Sequence, residues 1–515
     1  MAASTFLFHP LMNEVVPYNA VYDFPSQATR STKRTIKMSP KNQMASYVSG
    51  SVIRFEFPAS GYLNPNTTYL AFNARARPGA FTSGNSTTNG FAFQNNIASI
   101  FSRVRVLYGS LVLEDIQDYN ILQRMFTEIL CTHGQSGSKR GIMQGIAPLS
   151  QMDSVATAGD DLVRPQFKFD RLNYHSLEAG DGAGGATSIG TTVRRYAIPI
   201  NTGVFQQKRL LPLKFMSSQL QIEFTLADAV DCQHFVIGTG DNTPTNPTSS
   251  STEVGLPEII AELLEFDAEF DRAVFQGLGR GLAIPFQSWH LTSYNIAPSL
   301  SYQLNIQESS RSVRYALAAI TDDNNRVLTR DAHYFVDSLR NEYWGHTTAA
   351  LCPPRGDVRG YNNTAIESFQ WRLGGVYYPS QPVPCFGGTA SIDNPAQSID
   401  TNYADPPVEA YNEVMKIFDN QHDKRMGLSS LGFVPYTSRR DTAGFHETGG
   451  FLMGCDFMTD RGDVVGGINA EEQNDMMLLL KFVGTTSADA KVVRVAVCYD
   501  NIMILGESNN MVLVN

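Results

Sequence analysis

Apolar and polar residues alternate along most of the chain, in short runs that end at glycine, proline or asparagine. Residues 51–57, SVIRFEF, show the period of two that a half-buried strand requires, and Pro58 and Gly61 close the run. Residues 69–75, YLAFNAR, form the next run. Many such runs, rich in β-branched and aromatic residues and separated by turns, predict an all-β protein.

Two stretches in opposite halves of the chain are similar. Residues 366–382 read IESFQWRLGGVYYPSQP and residues 100–113 read IFSRVRVLYGSLVL, and aligned at their first isoleucines they share a serine, a leucine and a glycine. Each is followed by a helix-like segment of pattern Tyr-Asn-x-x-x-basic-apolar-Phe, at 119–126 and 411–418. Two similar pairs in the same order indicate an internal duplication.

Each half contains about eight short strand-like runs with one helical segment in the middle, a pattern typical of a jelly roll. We therefore predict an all-β fold of two tandem eight-stranded jelly rolls, a double jelly roll, with short helices in loops. The 515 residues suffice for two such domains. The predicted division is an N-terminal basic arm at 1–49, a first jelly roll at 50–275, a linker at 276–285 and a second jelly roll at 286–515.

The chain has few charged residues and a negative net charge, but one segment near its start is basic. Only 17% of the residues are charged, against about 25% in typical soluble proteins, and the net charge is −10. No acidic residue occurs between Phe24 and Ser49. We predict that this segment contacts nucleic acid, an anionic membrane or an acidic neighbour; the alternative is a solvated tail. Its candidate contact residues are Arg30, Lys33, Arg34, Lys37 and Lys41.

The sequence carries no local pattern of catalytic or ligand-binding residues. The six cysteines include no C-x-x-C pair, the nine histidines form no metal-binding motif, and no nucleophile elbow or phosphate-binding loop occurs. We therefore predict no catalytic, metal-binding or cofactor-binding residues and no enzymatic activity. Two Arg-Gly-Asp tripeptides, at 355–357 and 461–463, are interpreted as chance rather than receptor attachment.

The start of the chain has no basic region followed by an apolar segment, and no apolar run approaches 18 residues. We expect a protein that neither spans a membrane nor follows the standard secretory route.

Three stretches resemble a known family: 51–72 (SVIRFEFPASGYLNPNTTYLAF), 211–229 (LPLKFMSSQLQIEFTLADA) and 366–383 (IESFQWRLGGVYYPSQPV). Together they are similar to the double jelly-roll major capsid proteins of double-stranded DNA viruses, with the closest likeness to polinton-like viruses and virophages. Large nucleocytoplasmic DNA viruses are more distant relatives. The resemblance implies a structural protein of the virion, made in the host cell, whose homotrimers form pseudo-hexameric capsomers of an icosahedral shell. It also implies contacts with neighbouring capsomers, penton proteins and minor capsid proteins. With this resemblance, we expect the basic segment at 24–49 to lie on the inner side of the shell, facing genome, membrane lipid or an acidic scaffold protein.

Two alternatives remain open at this point. The first is a secreted-type, two-domain β-sandwich that binds or processes carbohydrate; the missing signal peptide and the small number of tryptophans, three in all, disfavour it. The second is a minor vertex or spike protein of the same kind of virus, which differs from a major capsid protein in copy number.

Overall fold

The structure of the chain is a computed structural model. It describes the residues in the following ranges: 31–77, 90–93, 97–130, 139–145, 152–155, 164–167, 174–176, 193–228, 232–236, 251–279, 281–297, 299–322, 366–385, 408–418, 439–440, 446–447, 452–459, 466–471, 475–482, 491–506 and 511–514.

The elements fall into a first half, which ends with helix α4, and a second half, which begins with strand β14. The first half contains β1 (Ser31–Met38), β2 (Val52–Glu56), β3 (Tyr62–Arg77), β4 (Gly90–Phe93), β5 (Phe101–Tyr108), β6 (Leu111–Gln117), α1 (Tyr119–Leu130), α2 (Lys139–Gln144), β7 (Met152–Val155), β8 (Arg164–Phe167), β9 (Tyr174–Ser176), β10 (Arg194–Pro199), α3 (Gly203–Gln206), β11 (Leu220–Leu226), β12 (Gln233–Val236), β13 (Ser251–Phe266) and α4 (Ala268–Leu278). The second half contains β14 (Leu282–Ile296), β15 (Ser301–Ile306), β16 (Val313–Asp322), β17 (Ile366–Leu373), β18 (Val376–Pro384), α5 (Val408–Phe418), β19 (Arg439–Arg440), β20 (His446–Glu447), β21 (Met453–Asp456), β22 (Met476–Phe482), β23 (Lys491–Leu505) and β24 (Met511–Val514).

Each half is a pair of antiparallel four-stranded sheets with the same strand order. The first half has sheet A, β1-β13-β3-β10, and sheet B, β2-β11-β5-β6. The second has sheet C, β14-β23-β16-β21, which β24 extends, and sheet D, β15-β22-β17-β18. Numbered along the chain, the eight strands of each half lie in the orders first-eighth-third-sixth and second-seventh-fourth-fifth. This is the eight-stranded jelly roll, and it occurs twice.

The remaining strands form small sheets in the connections: β12-β4-β9, β7-β8 and β19-β20. The core lies between the two sheets of each half, where strands bury alternate residues. In the first half, the rings of Phe55 and Phe224 meet edge to face at 6.2 Å. In the second, Trp371 is fully buried and its ring lies 6.5 Å from that of Phe457.

The duplication is confirmed, but the alignment of its first pair is displaced by one residue. β5 and β17 occupy the same place in their sheets and have the same burial pattern, with the first, fourth, sixth and eighth residues buried. That pattern pairs Phe101 with Ile366, whereas the sequence alignment pairs Ile100 with Ile366. Because strand side chains alternate between faces, the one-residue slip matches inward residues with outward ones. The helical segments at 119–126 and 411–418 are both helices, in α1 and α5.

Part of the predicted basic arm is a strand of the first jelly roll. β1 pairs with β13 along its whole length, from Ser31 opposite Phe266 to Met38 opposite Ile259. Placing the arm at 1–49 is therefore wrong for residues 31–38, because sheet A needs this strand as its edge. Residues 1–30 of the predicted arm lie outside the described residues. The predicted linker, 276–285, contains the end of α4 and the start of β14, and the other domain limits stay predictions.

Among the residues that the structure describes, no helix combines the length and the apolar character needed to cross a membrane.

Candidate functional site

The two halves are joined by a buried junction on the outer face of sheet C, the face turned away from sheet D. The ring of Phe126 in α1 meets that of Trp289 in β14 edge to face at 5.5 Å. It also contacts Phe418 of α5 at 6.2 Å, and these two phenylalanines are the equivalent residues of the duplicated helix. Trp289 Nε1 donates a hydrogen bond of 3.0 Å to the hydroxyl of Tyr315. The apolar core is consequently one cluster that runs through both halves.

The junction requires a glycine at one point. Gly203, the first residue of α3, lies so close to β14 that a Cβ built on it would be 1.5 Å from the carbonyl oxygen of Gln287. Real Cβ contacts are never this short, so any side chain at this position forces the backbones of the two halves apart. Gly203 therefore sets the distance between the two jelly rolls.

A buried carboxylate also holds the short helix α3 in place. Glu114 of β6 is 2% exposed, and its two carboxyl oxygens accept hydrogen bonds of 2.8 Å from the backbone N–H groups of Gly203 and Val204. Burial raises the pKa of Glu114 to about 7, although the two N–H donors favour the charged form and oppose the rise. The carboxyl group thus ties strand β6 to the backbone that contacts the second half.

A charge pair bridges the halves at the end of β6. Arg494 of β23 donates from Nη1 to Oδ2 of Asp118 at 3.1 Å and to Oγ of Ser293 at 2.5 Å. The Arg494 side chain is only 10% exposed. A hydrogen-bonded pair in such a site fixes how the two halves are aligned with each other, which non-directional apolar contacts do less well.

A second buried pair anchors the loop before β22 within the second half. Arg314 donates from Nη1 to Oδ1 of Asp500 at 3.0 Å, and both side chains are less than a tenth exposed. Ser312 donates to Oδ2 of Asp500 at 2.7 Å, and the N–H of Gly467 donates to Oγ of Ser312 at 2.9 Å. Because its hydrogen-bonding groups are paired, this cluster can be buried beside the junction.

Three of the predicted contact cations are ion-paired within the chain. Lys33 lies 2.5 Å from Glu262, Arg34 lies 3.7 Å from Glu265, and Lys41 lies 2.5 Å from Glu56. Each of these three cations is about 60% exposed. The hydrogen bond from Lys33 lowers the pKa of Glu262.

The other two basic residues differ. Lys37 is exposed on β1, and within the described ranges no carboxylate lies within ion-pair distance of it. Arg30 lies outside the described residues. The structure therefore places Lys33, Arg34 and Lys37 on one edge strand, while Lys41 lies beside β2 of sheet B through its pairing with Glu56.

The junction also borders a cavity of about 350 Å³. Its walls include carboxamide side chains and aromatic rings, among them Gln123, Asn201, Gln206, Gln287, Trp289 and Tyr315.

In the described part of the chain, no group of three or more histidine, cysteine, aspartate or glutamate residues is arranged to hold a metal ion. Cys385, Cys455 and Cys498 are buried, and burial raises the pKa of each thiol, which makes them poor nucleophiles. Both Arg-Gly-Asp tripeptides contain residues outside the described ranges.

Sequence reasoning missed the residues of the junction. One signal was present: Glu114 interrupts the apolar run Leu111–Leu113, where a strand of the core would bury an apolar side chain. Nothing in the sequence around Gly203 distinguishes it from a turn glycine, because its role depends on β14, more than 80 residues later.

Comparisons with known proteins identify solved structures that have a similar fold. No family model and no curated protein matches the chain. Among solved structures, the PBCV-1 virus capsid is similar at 12% identity with a TM-score of 0.56, over 96% of this chain and 99% of that chain. The Sputnik virophage structure is similar at 10% identity with a TM-score of 0.54, over 99% and 92%. The Faustovirus major capsid protein is similar at 10% identity with a TM-score of 0.50, over 96% and 94%. At these identities the similarity is one of fold, and the predicted double jelly-roll fold is confirmed.

Proposed function

We propose that this chain is a structural protein, the major capsid protein of an icosahedral double-stranded DNA virus, whose homotrimers form pseudo-hexameric capsomers. The observation that carries the proposal is the pair of complete jelly rolls with the same strand order, joined through a buried junction. Solved structures with this fold include a virus capsid and a major capsid protein. Three copies bring six similar barrels around one axis, which gives a near-hexagonal tile.

The geometry of the chain supports a role in packing rather than in chemistry. Arg494 in the junction and Arg314 beside it are each hydrogen-bonded to an aspartate, and burial raises the pKa of the Cys498 thiol, which disfavours the nucleophilic thiolate. Large apolar side chains are exposed elsewhere, including Val376 and Tyr377 on β18 and Phe275 on α4. Exposed apolar patches of this kind are typical of interaction surfaces, and obligate interfaces bury about 2,000–5,000 Å² in total. The proposed partners are further copies, neighbouring capsomers, and penton and minor capsid proteins of the virion.

The tryptophans argue against a carbohydrate cleft as the alternative. Trp289 is 4% exposed and Trp371 is fully buried, and Trp344 lies outside the described residues. Neither described indole can serve as a stacking platform for a sugar ring.

A minor vertex or spike protein differs from the proposed function in copy number, so the stained protein profile of purified particles separates the two. This chain should be the dominant band; a trace band would overturn the proposal of a major protein.

The basic segment carries a separate part of the proposal. We place Arg30, Lys33, Arg34, Lys37 and Lys41 on the inner side of the shell, where they contact genome, membrane lipid or an acidic scaffold protein. Since Lys33, Arg34 and Lys41 already have carboxylate partners, we propose that Lys37 contributes more of the attraction than these three. The test variant combines Lys37 with Arg30, which lies outside the described residues. Replacing both with glutamine should reduce the yield of filled particles while the purified protein keeps its oligomeric state. The matched control replaces Lys33 and Lys41 instead. Equal yields from the two double variants and the unmodified chain would contradict this role.

A further inference from the structure

A second cavity lies beside the junction and is lined by residues of both halves. Its volume is about 300 Å³, at the lower end of the range of about 300–1,000 Å³ that is usual for small-molecule sites. The first half contributes α3 and the segment that follows it, residues 203–209. The second half contributes residues 285–287 of β14 and the buried pair of Arg314 and Asp500. A molecule in this cavity therefore contacts both jelly rolls.

Two neighbouring cations, Lys208 and Arg209, line this cavity. Both residues are exposed, and among the described residues neither lies within ion-pair distance of a carboxylate. Most of the other basic side chains in the described ranges do have such a partner. Because the chain has a net charge of −10, two adjacent cations left without a carboxylate favour an anion from outside the chain as their partner.

The backbone that carries these cations is held in place. The buried Gln207 donates from Nε2 to the carbonyl oxygen of Arg209 at 2.7 Å, and its Oε1 accepts from the N–H of Arg209 at 2.9 Å. Arg209 in turn donates from Nη1 to the carbonyl oxygen of Ala283 in β14 at 2.8 Å. This bond uses one of the five N–H donors of the guanidinium group. Arg209 is consequently positioned before a ligand arrives, which lowers the entropic cost of binding.

The charges around the cavity are positive in sum. Its lining contains three cations and one carboxylate, which gives a net charge of +2. The carboxylate, Asp500, is paired with Arg314. Glu114, which lies behind α3, accepts its hydrogen bonds from the backbone of that helix. A cleft with one dominant sign of charge concentrates ligands of the opposite sign.

The cavity adjoins the one of about 350 Å³ that borders the aromatic contacts of the junction. Gln206, Gln287 and Arg314 line both cavities. The carboxamide groups of the two glutamines can donate hydrogen bonds to ligand oxygens. Trp289 and Tyr315 lie on the far side, in the wall of the larger cavity.

We infer that the smaller cavity binds the phosphate groups of a small molecule, with Lys208 and Arg209 as charged ligands and Gln287 on the side of the second half. The planar fork of an arginine donates two parallel hydrogen bonds to phosphate oxygens, and a lysine adds a point charge. The ligand is either an inorganic polyphosphate or the phosphate end of a nucleotide whose base occupies the larger cavity. Since the bound molecule contacts both halves, it stabilises the junction. The site belongs to a single chain, so the inference does not depend on the proposed assembly.

Titration calorimetry of the full chain with tripolyphosphate and with a nucleoside triphosphate tests the site. The ionic strength is held constant, because salt screens exposed charges. The test variant is the double substitution Lys208→Gln with Arg209→Gln. The matched control, Arg311→Gln with Lys481→Gln, removes the same charge from two side chains that are each 59% exposed outside the cavity. Gln287→Glu adds a negative charge to the cavity from β14. Circular dichroism checks the fold of each variant.

The unmodified chain and the control should bind tripolyphosphate with equal affinity. The test variant should bind about tenfold to a hundredfold more weakly, as expected for the loss of charge-assisted hydrogen bonds. Gln287→Glu should also weaken binding; an unchanged affinity would overturn a site between the halves. Tighter binding of the nucleoside triphosphate identifies the ligand as a nucleotide, whereas equal binding identifies it as a polyphosphate, and both results support a phosphate site.

Two results would overturn the inference and leave the proposed function intact. One is the absence of saturable binding at millimolar tripolyphosphate, and the other is equal affinity of the test variant and the control. If the test variant fails to fold, Lys208→Gln alone decides the result, because this side chain is exposed. Lys208→Arg keeps the charge and should retain binding.

Discussion

Adding one methyl group at Gly203 should weaken the whole molecule, because it acts on the junction rather than on either barrel. In Gly203→Ala the new Cβ would lie 1.5 Å from the carbonyl oxygen of Gln287, less than half of an ordinary contact distance. Neither atom can move alone, since both belong to backbone. The substitution must therefore displace α3 from β14.

Two costs set the magnitude of the effect. Overpacking a close contact typically costs about 1–3 kcal/mol. Displacement of α3 also removes the N–H groups of Gly203 and Val204 from the carboxyl oxygens of Glu114, which lie 2.8 Å away. Leaving that buried carboxyl group without its donors costs about a further 1–3 kcal/mol. The free energy of unfolding should consequently fall by about 2–6 kcal/mol.

The assay is chemical denaturation at one fixed protein concentration, because the stability of an oligomer depends on concentration. Gly277→Ala is the matched control. Gly277 lies in helix α4, and a Cβ built there meets no atom within 4 Å. This control should raise the free energy of unfolding by about 0.5–1 kcal/mol, since alanine loses less entropy in a helix. If Gly203→Ala shifts stability in the same direction as Gly277→Ala, the close contact between the halves is refuted.

Two further substitutions test the buried charges. Because burial raises the pKa of Glu114 from 4.5 to about 7, the folded chain binds this proton more tightly than the unfolded chain. The stabilisation of about 3 kcal/mol is full below about pH 4.5 and is lost as pH rises toward 7. In Glu114→Gln this slope should disappear, as measured by denaturation at about pH 5 and about pH 8; an unchanged slope would contradict the assignment. Asp500→Asn should cost about 3–5 kcal/mol by leaving the Arg314 charge unpaired, whereas Glu471→Gln, in an exposed ion pair with Arg311, should leave the stability almost unchanged. Equal thermal midpoints for these two variants would show that burial of the Asp500 pair has no effect.

The architecture followed from the sequence because alternation and turn chemistry are local. Strand β2 shows a clean period of two in its residues, and its burial follows that period. The duplication predicted two barrels rather than one, because its repeated strands, β5 and β17, occupy the same place in the two halves. The one-residue slip in their alignment arose from matching shared letters, which ignores the face to which each side chain points.

Strand β1 was not predicted because its sequence, STKRTIKM, is dominated by cations and polar residues. Only Ile36 and Met38 pack against the core, as partly buried residues. An edge strand needs few apolar residues, and exposed lysines are common there because they oppose pairing with foreign strands. A charge run of this kind predicts a solvated arm equally well, so the sequence alone cannot distinguish the two.

The junction was beyond sequence reasoning for a different reason. Glu114 and Gly203 are 89 residues apart, and Arg494 and Asp118 are 376 residues apart. The first pair forms only once the first jelly roll is folded, and the second only once both jelly rolls are folded and in contact. Their residue types are unremarkable in isolation, because a glycine, a carboxylate and an arginine occur in most loops of a β protein.

The most direct test of the proposed assembly is the mass of the purified, unmodified chain in solution, measured by sedimentation over a range of low concentrations. The account predicts a species of three times the 56.7 kDa chain mass that persists on dilution, since the exposed apolar side chains of Val376, Tyr377 and Phe275 are typical of surfaces that a partner covers. A folded, stable monomer at every concentration would contradict it.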